Sequence, residues 1–576
     1  MRSLTWHDTR FEVGKVQSSV VGDYQRVAEL LRQEGLRGFF SSSSSLADLN
    51  NLGHPPGYSI LIALVRAIFG SSNAAIQFTQ IVFDSLAAVL LFLIVFELFS
   101  LAPATIAGLF AALSPQLVWN SVLLLPDSLA TFPILLAVFL LARSREKPRL
   151  TAFVMMGALV GLSCWLRANA MLLTGFIAVA VLLLHGKKHW RYSLAVIAGT
   201  LLIVLPLTIR NAIATRHFIP VSLGAGQTLL EGIADYDTNN RFGIPNTDMG
   251  IMKQEAEVHQ RPEYYGTLFN PDGVQRERAR MKRGAGVIAS NPVWFASVMV
   301  RRAASMTRLE RTRLLSSSPA VTHSPDTANS SRLVDDTTTL MRRCSAESPQ
   351  AKFTFDPANA ESLILLGDAS KYGDQFLCER VPLKENTDYL LELSFRIPQG
   401  RMRVSVNDTV SDVLEPLEVK QPAEQPVQTI RLPFASMAAS ARVDFSNEAS
   451  NAPPIVHVDA MNLYELGPAR YLWTRYPRLL LHLLQRVFVT AVFLPLALIG
   501  VGLTIFRKRT AALIVLAVVP VYYFTVQSAF HTEYRYVLAV NYSLFAFAAV
   551  AIGWVVRFAY RKVSSLSVWE RVRVRA

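Results

Sequence analysis

Long runs of apolar residues lie near both ends of this chain, on either side of the polar stretch 210–486. An α-helix needs about 20 mostly apolar residues to cross a bilayer, with a range of about 17–25. The run at 128–142 is shorter and reaches that range only with Leu123 to Leu125. These runs predict nine transmembrane helices, at 76–96, 104–121, 128–142, 150–166, 168–184, 192–209, 487–506, 511–529 and 537–556.

The polar middle changes character along its length. Residues 211–315 are predicted to be helical and irregular, and Arg276 to Arg313 is predicted to form an amphipathic helix on the membrane surface. Residues 316–350 are rich in Ser, Thr, Asp and Pro, which is typical of a linker. From 351 to 466, segments such as Arg401-Met-Arg-Val-Ser-Val alternate apolar with polar residues between turns, which predicts an all-β sandwich.

The predicted fold is therefore a polytopic α-helical membrane bundle that carries an all-β sandwich outside the cytoplasm. Its expected parts are a first outer loop with interfacial helices at 1–75, six spans at 76–210, a helical region and linker at 211–350, the β module at 351–466, three spans at 480–560, and a basic cytoplasmic tail at 561–576.

Basic residues occur in alternate connections between the predicted spans, and short cytoplasmic loops are enriched in Lys and Arg. The stretches 143–149, 187–191, 507–509 and 557–575 are therefore placed in the cytoplasm. The segments 122–127, 167, 210–486 and 530–536 then lie on the other side, in a protein of the inner (plasma) membrane.

The N-terminal region allows two topologies. The apolar run Gly57 to Phe69 is too short to span and contains Arg66, so we interpret it as an interfacial helix. The first 56 residues would then face outward, and a preceding transmembrane helix would be missing from this chain. In the competing interpretation 57–70 is a true span and the N-terminus is cytoplasmic.

Composition supports the membrane class, because 51% of residues are hydrophobic and only 17% are charged. The net charge of +14 reflects Lys and Arg beside apolar runs, and we see no zinc-type cluster, P-loop or nucleic-acid motif, so no nucleic-acid partner is expected. Cys164 lies in an apolar run. Cys344 and Cys378 lie in the polar middle, where a disulfide and two unpaired thiols are equally weighted.

Several polar residues fall at the outer ends of the predicted spans. Asp23 and Asp127 are each either a helix cap or a functional carboxylate. Arg167 and Arg210 each end a span, where an arginine either contacts lipid headgroups or binds a phosphate through its planar fork. The last outer loop holds His531, Glu533, Arg535 and Tyr536. Asp84 lies inside the first predicted span, where we expect a hydrogen bond to a neighbouring helix and no catalytic role.

The order of these motifs resembles the dolichyl-phosphate-mannose protein mannosyltransferase superfamily, and most of all its bacterial branch with the 4-amino-arabinose lipid A transferases. The series is Asp23-Tyr24, His54-Pro-Pro-Gly-Tyr58, Pro126-Asp-Ser-Leu, Leu166-Arg167, Pro206-Leu-Thr-Ile-Arg210-Asn, Phe218-Ile-Pro-Val-Ser, Asn291-Pro and Glu533-Tyr-Arg535-Tyr536. These are GT-C glycosyltransferases that use lipid-linked sugars. The β module lies outside the resemblance, but its run Tyr372-Gly-Asp-Gln-Phe resembles carbohydrate-binding jelly-roll modules; a spacer role is at least as well supported.

The resemblance implies roles for particular residues. It places a catalytic carboxylate at Asp23 and a second one at Asp127, and it places phosphate-binding arginines at Arg210 and Arg535, with Arg167 a weaker match. Further substrate-binding residues are expected at Tyr24, His54, Tyr58, Glu533 and Tyr536.

The resulting hypothesis is an inverting transfer of a hexose or pentose from a polyprenyl-phosphate donor to a lipid, glycan or protein acceptor outside the cytoplasm, with an aspartate as the base. The sequence requires no cofactor; a divalent metal is compatible with it but unsupported. Two alternatives come from other classes: a transporter or flippase of lipid-linked sugars, and a non-catalytic glycan-binding membrane protein. A transporter would favour internal repeats, and none is clear here.

Overall fold

The structure is a computed structural model that describes residues 1–10, 17–316, 321–323, 332–356, 359–370, 373–408, 417–418, 427–447 and 452–573. The chain divides into two compact units, Met1–Leu314 with Leu484–Ala576 and Leu315–Leu483. Within the described ranges the α-helices are α1 Arg2–Thr9, α2 Ser18–Phe39, α3 Gly57–Phe69, α4 Asn73–Leu98, α5 Leu101–Leu113, α6 Pro115–Val122, α7 Asp127–Ser144, α8 Leu150–Leu166, α9 Leu173–His185, α10 Trp190–Thr215, α11 Ala225–Ala234, α12 Asp248–His259, α13 Gly273–Ser290, α14 Pro292–Ser305, α15 Thr337–Met341, α16 Arg475–Gln485, α17 Thr490–Phe506, α18 Thr510–Thr525 and α19 Leu538–Arg573.

The first unit is a multi-pass membrane bundle. By length and composition, six helical segments within the described ranges can cross a membrane, and up to eight can if each of two bent helix pairs is counted as one span. Helix α8 has 17 residues, which is the short end of the range for a membrane helix. The nine predicted runs coincide with these eight segments and α8.

The predicted span 104–121 is broken. Helices α5 and α6 meet at an angle of 49°. Pro115 is the first residue of α6, and the Ser114 side chain accepts a hydrogen bond from the backbone N–H of Leu117 at 3.5 Å. Because proline lacks an N–H and starts helices readily, the apolar run restarts here instead of continuing straight.

Small residues bring two helices of the bundle into close contact. Gly157 of α8 lies against the backbone of Val196 in α10, and Gly199 of α10 lies against Val154 in α8. A Cβ atom at either glycine would overlap a backbone carbonyl of the partner helix. This is the small-residue contact typical of membrane helices.

Asp84 lies inside α4 and is buried. Its carboxylate is 2.5 Å from Nε of Arg2 in α1 and accepts a hydrogen bond from Tyr542 of α19 at 3.3 Å. The expected bond to a neighbouring helix is therefore present, and it is joined by an ion pair that the sequence did not indicate.

The region after α10 differs from its prediction. Residues 273–305 form two helices, α13 and α14, instead of one continuous helix from 276 to 313. Arg280 is buried and donates to Glu255 at 2.6 Å and to Glu277 at 3.0 Å, while Arg276 pairs with Glu255 at 2.7 Å. The prediction of one continuous helix was wrong because the chain breaks at Asn291, before Pro292, whereas its position on the membrane surface stays a prediction.

The second unit is an all-β sandwich of antiparallel strands. Within the described ranges the strands are β1 Arg332–Asp335, β2 Cys344–Ala346, β3 Lys352–Asp356, β4 Asn359–Leu366, β5 Gly373–Pro382, β6 Thr387–Gln399, β7 Met402–Asp408, β8 Leu417–Glu418, β9 Gln428–Ser436, β10 Ser440–Asn447 and β11 Ile455–Pro468. One sheet has the order β3-β4-β11-β6-β9, with β1 also paired to β11, and the other has the order β2-β5-β10-β7-β8. Side chains from both sheets, such as Leu391 and Val443, share one apolar core.

The sandwich begins earlier than the sequence suggested. The strands β1 and β2 and the short helix α15 lie within 316–350, which was predicted to be a linker. Cys344 and Cys378 face each other on β2 and β5 and form a disulfide, so the first of the two alternatives is realised. Tyr372, in the run that resembles carbohydrate-binding modules, lies outside the described residues.

Candidate functional site

An ion pair between two transmembrane helices forms the centre of the candidate site. Asp127 is the first residue of α7, and Arg167 directly follows α8. Arg167 Nη1 lies 2.6 Å from Asp127 Oδ1, and the side chain of Asp127 is only 2% exposed. Neither of its carboxylate oxygens has a well-aligned hydrogen bond within the described part of the chain, so the carboxylate retains unused acceptor capacity.

A second arginine approaches the same place from the loop before α19. The Cζ atoms of Arg167 and Arg535 lie 4.0 Å and 5.1 Å from the centre of the Tyr536 ring. Arg535 donates to both oxygens of Glu533, at 2.6 Å and 3.1 Å. Its buried Nη1 has no hydrogen-bond partner among the described residues. Both guanidinium groups therefore lie close to the Tyr536 ring, and the Arg535 guanidinium keeps one N–H donor that no described residue occupies.

Aromatic side chains from the first outer loop lie beside this pair. The ring of Tyr24 is 5.0 Å from that of His54 and 5.0 Å, edge-on, from that of Tyr58. Burial raises the pKa of Tyr24, since Arg167 opposes that effect only in part. The Tyr24 hydroxyl therefore stays protonated at neutral pH.

His54 is neutral at physiological pH. The residue is exposed, yet the protein around its ring reduces the hydration of the charged imidazolium. This desolvation, followed by the nearby Arg167 charge, lowers the pKa of His54 from 6.5 to about 4. A neutral imidazole can donate one hydrogen bond and accept another, but it adds no positive charge to the site.

Two buried glutamines of α4 support the backbone that leads to Asp127. Gln80 donates to the carbonyls of Leu123 and Leu125, at 2.5 Å and 3.3 Å, and accepts a hydrogen bond from the Tyr58 hydroxyl at 2.7 Å. Gln77, nearly one turn earlier, donates to the Val122 carbonyl at 2.7 Å. These bonds tie the loop before α7 to the aromatic side chains.

Asp23 lies within α2, so its interpretation as a helix cap was wrong. Its side chain is half exposed and pairs with Arg26 one turn later, at 2.9 Å. Its negative charge also acts on His54, which places the two residues in the same neighbourhood. A solvent-accessible carboxylate near the aromatic side chains remains a candidate for proton transfer.

Arg210 is the predicted phosphate ligand that the structure does not support. It is 3% exposed, and its guanidinium donates to the backbone carbonyls of Phe39 and Leu46, at 2.8 Å and 2.6 Å, and to the side chain of Asn211 at 3.1 Å. Its donors therefore fix the chain between α2 and α3 to α10, instead of facing a ligand.

Sequence reasoning missed residues that hold the loop before α19. Gln116 donates to the Tyr534 carbonyl at 3.1 Å, and Asn169 donates to the Tyr536 carbonyl at 3.2 Å. Both are polar residues in or beside apolar runs, which was the available signal.

His531, from the same loop, pairs with Asp235 at 2.8 Å. Burial lowers the pKa of His531, but the Asp235 carboxylate outweighs that effect, so the net pKa is raised. Among the described residues, no three His, Cys, Asp or Glu side chains are grouped as metal ligands.

A comparison with protein families agrees with the part of the motif order that lies within residues 53–210. Residues 53–210 match the family of dolichyl-phosphate-mannose-protein mannosyltransferases. No curated protein sequence matches the chain. The oligosaccharyltransferase AglB from Archaeoglobus fulgidus, solved with an inhibitory peptide and a dolichol-phosphate, is 11% identical with a TM-score of 0.37; the match covers 94% of this chain and 48% of that one. The chain thus spans about half the length of the archaeal protein.

Two bacterial structures are also similar. ArnT from Cupriavidus metallidurans is 14% identical with a TM-score of 0.28, and the match covers 49% of this chain and 59% of that one. The arabinosyltransferase EmbB from Mycobacterium smegmatis is 11% identical with a TM-score of 0.22, covering 80% and 65%. Through residues 53–210, this multi-pass membrane protein resembles the family of dolichyl-phosphate-mannose-protein mannosyltransferases.

Proposed function

We propose that this protein transfers a sugar from a polyprenyl-phosphate donor to an acceptor outside the cytoplasm. The observation that carries the proposal is the pair of guanidinium groups, Arg167 and Arg535, on the ring of Tyr536. Arginine forks match phosphate oxygens well, and this pair lies at the ends of membrane helices, where a lipid-linked phosphate would arrive.

Each charged residue of the site then has its own role in the transfer reaction. Arg167 and Arg535 hold the donor phosphate and stabilise the negative charge that develops as it leaves. Asp127 keeps Arg167 in position through the 2.6 Å ion pair. Tyr24, His54 and Tyr58 provide the aromatic and hydrogen-bonding surface on which a sugar ring packs.

Asp23 is the proposed general base. The acceptor oxygen or nitrogen attacks the anomeric carbon and forms the new glycosidic bond, while the bond from that carbon to the phosphate oxygen breaks. The acceptor proton passes to Asp23, and the bonding electrons leave with the phosphate. A single displacement of this kind inverts the anomeric centre.

The orientation of the site rests on two independent features. The basic connections 143–149, 187–191 and 507–509 favour the cytoplasm, which places Arg167 and the loop before α19 on the opposite side. The disulfide between Cys344 and Cys378 suits an oxidising compartment. Both support a site on the outer face of the inner membrane.

A matched pair of variants on α2 tests the base. Asp23 pairs with Arg26, and Glu29 pairs with Arg32 in the same helical spacing and at nearly the same exposure. In membranes supplied with lipid-linked sugars, Asp23→Asn should lower the transfer rate at least 100-fold, the lower range for general base catalysis being about 10²-fold. Glu29→Gln should leave the rate unchanged.

Equal rates in Asp23→Asn and the wild type would remove Asp23 from the mechanism. Mass spectrometry of cell-envelope glycans, with and without the protein, would then identify the sugar and the acceptor. A glycan profile that does not change in the absence of the protein would contradict the proposed transfer.

A further inference from the structure

The segment from Trp473 to Val487, which contains α16, carries an exposed apolar face. Trp473 and Tyr476 are 72% and 78% exposed, and Leu480 and Leu483 are 59% and 51% exposed. Leu479, Leu484 and Val487 are exposed too. Spacings of three and four residues place these side chains on one side of a helix.

The opposite side of the same segment is buried and polar. Thr474, Arg478 and Gln485 are each 2% exposed or less, and Arg478 Nε donates to the Thr474 hydroxyl at 2.8 Å. The helix is thus amphipathic, with its polar side mainly against protein and its apolar side outward, and the exposed Arg486 adds one positive charge near the end of the outward side. That arrangement is the reverse of a helix on the surface of a water-soluble protein, whose apolar side faces the core.

We propose that the segment Trp473–Val487 lies in the membrane interface, with its apolar face in the lipid. Only four residues separate the end of α16 at Gln485 from α17, an apolar helix of the membrane bundle that begins at Thr490. The segment therefore cannot leave the neighbourhood of the bilayer.

The residue types on the exposed face also favour lipid as its contact. Trp and Tyr are enriched at the boundary between lipid and water, where their rings stay among headgroups, while leucines reach the acyl chains. Trp473 and Tyr476 lie at the N-terminal end of the face, and the leucines and Val487 lie toward α17. This order is the one expected for a helix that approaches the membrane from its surface.

The placement adds a lipid contact to the second unit of the chain. The last strand of the sandwich, β11, ends at Pro468, and the amphipathic segment starts five residues later. The bilayer would thereby anchor the C-terminal end of the β sandwich directly, independently of the transfer reaction.

Spin labels in the full chain, reconstituted into lipid bilayers, test this proposal. Single cysteines replace Leu480 or Leu483, and Lys352→Cys on the exposed strand β3 is the water-facing control. Labels at 480 and 483 should be at least threefold more accessible to oxygen, which dissolves in lipid, than to a water-soluble nickel chelate. The label at 352 should show the opposite order.

Two outcomes would overturn the proposal. Strong accessibility of positions 480 and 483 to the nickel chelate would place the face in water. Low accessibility to both reagents would show that protein, such as a second copy of the chain, covers the face. Tyr476→Cys gives an independent measurement at the headgroup level, should one leucine variant fail to fold.

Discussion

Arg167 and Asp127 form an ion pair at 2.6 Å across the ends of two transmembrane helices, and Asp127 is almost completely buried. Removing one partner of a buried pair leaves the other charge without compensation. The pair therefore joins α7 to α8, and it also positions Arg167 for the proposed phosphate site.

Asp127→Asn should lower the stability of the protein by about 3 kcal/mol, at the lower end of the range for a broken buried pair, since Arg167 keeps some access to water. Thermal unfolding in detergent measures the change. The double variant Asp127→Asn with Arg167→Gln should lose at least about 1 kcal/mol less than the sum of the single variants. Full additivity would mean that the two side chains do not interact. As a control, Glu29→Gln breaks an exposed ion pair and should change the stability by less than about 1 kcal/mol.

Gly157→Ala should weaken the contact between α8 and α10. The added methyl group would overlap the Val196 carbonyl, and overpacking typically costs about 1–3 kcal/mol. Gly175→Ala in α9 is the matched control because no atom of a neighbouring element lies within 4 Å of the position that its methyl group would take. Thermal unfolding should show a loss in the first variant and no loss in the second; equal behaviour would contradict the close packing.

Gln80→Leu should disturb the site through its supporting bonds. The change leaves the buried Tyr58 hydroxyl without its acceptor and removes the amide hydrogen bonds to the carbonyls of Leu123 and Leu125, although the Leu123 carbonyl keeps its bond from the Leu125 N–H. Each buried polar group that loses its partner costs about 1–3 kcal/mol. Stability and transfer should both fall. Ser85→Ala, also on α4, removes only a bond to its own helix, to Ile81 at 2.7 Å, and should be nearly neutral.

His54 should make stability depend on pH below neutrality. Its pKa is lowered to about 4 in the folded protein, so between about pH 4 and 6.5 the unfolded chain binds more protons. This contribution to stability is present above pH 6.5 and is lost as the pH falls. The melting temperature of His54→Gln should therefore fall less than that of the wild type between pH 7.5 and 5. An equal fall would show that His54 titrates normally.

The disulfide should stabilise the β sandwich by about 3–4 kcal/mol, because its cysteines lie 34 residues apart and the bond restricts the unfolded chain. Replacing both Cys344 and Cys378 by Ser should make the second unit more sensitive to proteolysis. A reducing agent should have the same effect on the wild type and no further effect on the variant.

The sequence was most informative where a single physical quantity decides the structure. Apolar length located the membrane helices that the structure describes, and period-two alternation located the β sandwich between residues 351 and 466. Apolar length could not locate the break at Ser114, because apolar residues continue on both sides of Pro115. The short strands β1 and β2 were hidden for a related reason: their Ser- and Thr-rich surroundings resemble a linker.

Site residues were harder to predict because a span-terminal arginine has several possible partners. Arg167 and Arg210 look alike in the sequence, yet one faces Asp127 and the other is saturated by the carbonyls of Phe39 and Leu46, over 160 residues away in the chain. Only the folded chain brings those partners together. The supporting residues Gln77 and Gln80 of α4 were missed, although amides in an apolar run are the same signal as Gln116 and Asn169.

The remaining cysteine, Cys164, is fully buried in the membrane bundle, and the other two are bonded to each other. The native protein should therefore not react with water-soluble maleimides. Any thiol introduced by mutation becomes a unique attachment point for dyes and crosslinkers without removal of the natural cysteines, which makes the chain well suited to distance measurements by fluorescence.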